Sequence, residues 1–121
     1  MKLFIYKYEL GKLERMIDIG LYPDEYKPYL EAVKKSIAKI TEGKTIVGKK
    51  DDGRVELRLT TRQAYCVFEM VKIYLDHDPL TWYESCKEIE ARMIEAEALQ
   101  PHVGLQLDGT YPSYKNKTPF A

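Results

Sequence analysis

With 121 residues, 45% hydrophobic and 31% charged, the chain has the apolar content of one packed domain, which excludes a disordered chain. Its 19 Lys/Arg balance 19 Asp/Glu to a formal net charge of zero, which argues against a dedicated polyanion binder. Two cysteines are too few for a disulfide framework. No apolar run approaches the roughly 18 residues of a membrane span.

The charge is not spread evenly. Residues 1–60 hold 13 Lys/Arg against 10 Asp/Glu, and residues 61–99 hold 4 against 8. The opening MKLFIYKYELGK is too short and too interrupted by charge for a secretory signal. A cytoplasmic protein without a membrane partner is therefore expected.

Lys2–Tyr8 alternates as a short strand, with Leu3, Ile5 and Lys7 on one face and Phe4, Tyr6 and Tyr8 on the other. Glu9–Ile19 follows as a helix with Leu10, Leu13 and Ile17 inward, stopped by Gly20. Pro23 and Pro28 mark the start of a second helix, which begins either near Asp24 or at Pro28. Its inward stripe is Tyr26, Leu30, Val33, Ile37 and Ile40, and Gly43 ends it.

Lys44–Arg62 reads as a β-hairpin running into a capped helix. Thr45 and Val47 on one arm, and Val55, Leu57 and Leu59 on the other, follow period 2 around the turn Asp51-Asp52-Gly53. Thr60 and Gln63 form a capping box. The helix they open, to about Asp76, is apolar on nearly every side and should be the central one, with Val67, Phe68 and Val71 in the core.

Asp78-Pro79 restarts a helix with Trp82, Cys86, Ile89, Met93 and Ala96 inward. The loop before it is so short that these last two helices should form an antiparallel hairpin. Both cysteines, Cys66 and Cys86, fall on apolar helix faces and should be reduced and shielded. The predicted fold class is α+β: a small antiparallel sheet, made of the N-terminal strand plus the β-hairpin, packed with four helices. Residues 1–100 form one domain with no internal repeat. Residues 101–121 form an extended C-terminal tail, with a brief strand at Leu105 and Leu107.

Chemistry is sparse. Asp76-His77-Asp78 is the one compact acid–imidazole cluster, but it lacks the second His or Cys at helical spacing that a metal site needs. Asp78 is already used as an N-cap. Cys66 and His77 lie about three helical turns apart, roughly 16 Å, too far for a nucleophile pair. No catalytic residue, metal or cofactor is expected.

Charge gathers around one projecting element. Lys34, Lys35 and Lys39 precede the hairpin, and Lys49, Lys50 and Arg54 sit at its tip; these six are the candidate partner-binding residues. A helix pair, a hairpin and a capped helix, over roughly residues 10–62, resemble the element order around the wing of winged-helix DNA-binding domains. That resemblance rests on element order and no diagnostic motif. It implies a helix in the major groove and a basic wing on the phosphate backbone. Zero net charge and Asp51-Asp52 at the tip oppose a polyanion. The expected function is thus a small non-enzymatic regulatory protein that binds a protein partner; the alternative is a winged-helix-like DNA-binding transcription regulator.

Overall fold

In the computed structural model, which describes residues 1–99, Lys2–Ile5 (β1) pairs antiparallel with Val55–Arg58 (β2). The predicted tail, with its brief strand, lies outside the described residues. Leu3 faces Leu57 and Ile5 faces Val55; all four are buried and form the sheet's inward face. Met1 and Leu59 extend the ladder, exchanging two backbone bonds of 2.7 and 2.8 Å. Hydrogen-bonded and non-bonded pairs alternate in an antiparallel ladder. Leu3 and Leu57 therefore also exchange bonds, and the backbones of Glu56 and Arg58 point to the far edge of β2.

The first helix begins earlier than its apolar period indicates. It spans Lys7–Ile19 (α1) because the Glu9 carboxylate reaches back to the Tyr6 amide at 2.9 Å and caps it. Gly20 closes α1 in the left-handed conformation, φ +80°. Both expected starts of the second helix are used: a 3₁₀ turn covers Asp24–Tyr26, and Lys27–Thr41 (α2) continues from it. The whole predicted stripe, Tyr26, Leu30, Val33, Ile37 and Ile40, is buried.

Thr61–His77 (α3) opens with the expected capping box. Gln63 N–H donates to Thr60 Oγ1 at 3.1 Å and Thr60 N–H to Gln63 Oε1 at 2.9 Å. Its Ala64, Val67, Phe68, Met70 and Val71 are core. Asp78 then caps Pro79–Leu99 (α4), accepting from Thr81 N–H, and α4 packs back along α3. Tyr74 locks the corner: its hydroxyl donates to Met16 O at 2.6 Å and its ring meets Trp82 edge-on at 4.9 Å.

The fold contains a repeat that residue identity hides. The order β-α-α occurs twice. Leu3, Ile5, Leu10, Leu13, Met16 and Ile17 return 54 positions later as Leu57, Leu59, Ala64, Val67, Met70 and Val71, all buried. Leu30, Val33, Ile37 and Ile40 return 56 positions later as the buried Cys86, Ile89, Met93 and Ala96. Tyr26 matches Trp82, and Glu9 matches Gln63, each of which accepts its own N-cap amide at 2.9 Å. In the sheet Leu3 faces its own counterpart, and the flanking pairs Lys2–Arg58 and Phe4–Glu56 exchange. A local two-fold relation through the Leu3–Leu57 pair follows from that register. The expectation of no internal repeat is thus corrected: burial is duplicated while identity is not.

Candidate binding surface beside β2

The turn forms as expected, but the hairpin opens soon after it. Lys50 N–H donates to Arg54 O, Gly53 N–H to Lys50 O, and Glu56 N–H to Gly48 O, at 2.9 to 3.0 Å. Gly53 takes φ +90°, a conformation suited to glycine. One isolated bridge, Lys49–Val55, lies between those bonds. Beyond Gly48 the arm Thr45–Val47 forms no strand and diverges from β2. The sheet within residues 1–99 is therefore the β1–β2 pair alone, and the predicted first arm contributes only the bridge.

Divergence leaves a groove of about 570 Å³ between α2 and β2. Ser36, Lys39 and Ile40 form its helical wall, Glu56, Leu57 and Arg58 its strand wall, and Thr45–Gly48 its third side. A smaller hollow of about 270 Å³ lies across the same arm, against Lys7, Ile40, Lys49 and Val55. Ile46 stands on the ridge between them, fully exposed. Lys39 and Arg58 line the larger hollow beside it and Lys7 and Lys49 the smaller. The carboxylate among them, Glu56, is 8% exposed and already faces Arg58 Nε at 3.5 Å and Lys2 Nζ at 4.0 Å.

The six predicted cations do not act together. Lys34 forms an ion pair with Asp18 of α1, whose hydrogen bond raises the lysine pKa. Arg54 lies against α4, with Nη1 2.9 Å from both Glu95 oxygens and Nε 2.8 Å from Asp52. Glu95 holds the guanidinium above its usual pKa against the desolvation that lowers it. At Asp52 burial pulls the carboxyl up, but hydrogen bonds from the Arg54 amide and guanidinium prevail and hold it below its ordinary value. Lys50 covers the Phe4 ring at 4.6 Å. Lys35, Lys39 and Lys49 are exposed, and Lys39 and Lys49 flank the Ile46 arm.

The repeat explains why the groove is open. Its equivalent in the other half is the seam where α4 packs on β1. There Arg92 reaches Glu9 at 3.2 Å and its guanidinium lies 5.1 Å from the Tyr6 ring centre. The residue matching Arg92 is Ser36. Its short side chain turns back to Ala32 O at 3.2 Å and spans nothing. One seam carries an arginine that reaches Glu9 of α1, and the matching position of the other carries a serine.

Sequence reasoning missed Ile46, Ser36, Lys7 and Arg58. Ile46 gave no signal because an isoleucine inside a predicted strand reads as sheet material. Elsewhere His77 is exposed, and burial pushes the thiols of Cys66 and Cys86 up to about 12 and about 11. Among the described residues no group of three or more His, Cys, Asp or Glu is placed to hold a metal ion. No described helix is long and apolar enough to cross a membrane. No family model, curated protein or solved structure matches this chain.

Proposed function

We propose that this chain is a non-enzymatic, cytoplasmic binding protein that docks a protein partner on the Ile46 surface. The observation that carries the reading is a fully exposed isoleucine between two hollows, one lined in part by Lys39 and Arg58 and the other by Lys7 and Lys49. An exposed aliphatic anchor with a charged rim is the chemistry of a protein interface. Two free, buried cysteines are compatible with a reducing compartment. Affinity capture from the source cell with and without nuclease tests the reading. A partner retained after nuclease and lost with Ile46→Asp supports it; capture that nuclease abolishes refutes it.

A DNA-binding reading is favoured by one observation. Lys2, Arg58 and Lys50 lie around the outer face of a two-stranded ribbon, and such ribbons enter DNA grooves. Glu56 engages both Lys2 and Arg58 there, which weakens it. Duplex binding that falls steeply with salt would promote this alternative.

A further inference from the structure

We infer that the groove between α2 and β2 receives an extended acidic segment of the partner as an added strand on β2. The inference rests on the protein-docking reading of the Ile46 surface and specifies how the partner is held.

The far edge of β2 is a broken ladder. Glu56 N–H is taken by Gly48 O. Two residues on, the Arg58 N–H and C=O point the same way, and among the described residues no backbone bond from the arm Thr45–Val47 meets them. An exposed strand edge with unused backbone groups is a template for another chain.

The register then sets the side-chain requirement. Partner residues level with Arg58 point to the sheet's outer face beside its guanidinium. Among the groove's lining residues the cations Arg58 and Lys39 outnumber the one carboxylate, Glu56, which Arg58 Nε faces at 3.5 Å, so these partner residues should be acidic. Their neighbours point inward against Leu57 and Ile40, so they should be apolar. Lys39 on the helical wall adds a second cation. The occupant is therefore an extended segment in which apolar and acidic residues alternate.

The other half of the molecule argues that this opening is particular to this seam. At the equivalent place α4 packs on β1 and its Arg92 reaches Glu9 of α1, whereas the matching Ser36 bonds back to its own helix at Ala32 O.

The probe is a short capped peptide of alternating valine and glutamate, compared with the valine–lysine version. A third form carries N-methyl groups on the backbone amides of one edge. N-methylation removes backbone donors and leaves the side chains unchanged, so no variant of the protein has to refold. We expect the valine–glutamate peptide to bind and the Arg58 amide to exchange more slowly with solvent on binding. The N-methyl form should bind about tenfold or more weaker, the loss expected for backbone hydrogen bonds at Arg58. The lysine version should bind weaker still.

Equal binding of the methylated form would overturn strand addition. So would an Arg58 amide already protected in the free protein, which would mean that the chain's own arm fills the edge. Absence of peptide binding, or displacement of the peptide by duplex DNA, would overturn it too. In the first three cases nuclease-resistant, Ile46-dependent capture of a partner would still leave the broader docking reading standing.

Discussion

Arg54 Nη1 lies 2.9 Å from both carboxylate oxygens of Glu95, 41 positions further along the chain. The contact belongs to a line of alternating charges: Asp52, Arg54, Glu95, Arg92 and Glu9. Its ends differ sharply. Asp52 is exposed, while Glu9 is fully buried and its Oε2 has no hydrogen-bond partner among the described residues. Loss of Arg92 would leave the Glu9 carboxylate with one backbone amide and, among the described residues, no counter-charge. Arg92→Ala should therefore cost about 3 kcal/mol in urea unfolding. Arg54→Ala should cost only about 1 kcal/mol, because its carboxylates regain water. Equal losses would show that Glu9 does not depend on Arg92.

Phe68 is 1% exposed at the centre of α3. Phe68→Ala should lower stability by about 3–5 kcal/mol, the usual loss for a buried ring. A variant that unfolds at the wild-type urea midpoint would contradict the core described above.

The two thiols give a pH dependence of definite sign. Burial raises both pKa values in the folded chain, to about 12 for Cys66 and about 11 for Cys86. Above the ordinary thiol value the unfolded chain has released protons that the folded chain retains. The slope of stability with pH is then negative. Stability is complete below about pH 9 and should fall as pH rises toward the folded values. Cys86→Ala should flatten part of that fall in urea titrations at successive pH values. Neither thiol should react with a bulky disulfide reagent faster than the protein unfolds.

Ile46 makes its contribution outside the core, being fully exposed. Ile46→Asp should change stability by no more than about 0.5 kcal/mol while removing partner capture. Lys39→Glu should also spare the fold and should weaken an acidic segment more than a neutral one. A large drop in melting temperature for Ile46→Asp would instead assign Ile46 a structural role.

The helices were readable from the sequence because their information is local. The α2 stripe, the Thr60–Gln63 box, the Gly20 stop and the Asp78 cap each lie within a few turns of one another. The start of α1 was misplaced because Glu9 looked like the first residue of a helix rather than the cap of an earlier turn. The candidate surface was only half readable. Lys34 and Arg54 find their acids on other elements, Asp18 and Glu95, and such distant pairings leave no pattern in a single sequence. The hairpin turn was correct, but how far its arms stay paired depends on tertiary packing. The repeat escaped notice because it preserves where side chains are buried, not which side chains they are.

That repeat has a consequence for stoichiometry. A symmetric dimer of either β-α-α unit would present two such grooves or none, since whatever closes one seam closes both. Joining the units in one chain frees position 36 from position 92. Arginine stands at one and serine at the other, and among the described residues the open seam is the one that carries the serine. If the proposed docking holds, a complex formed there should contain one partner per chain.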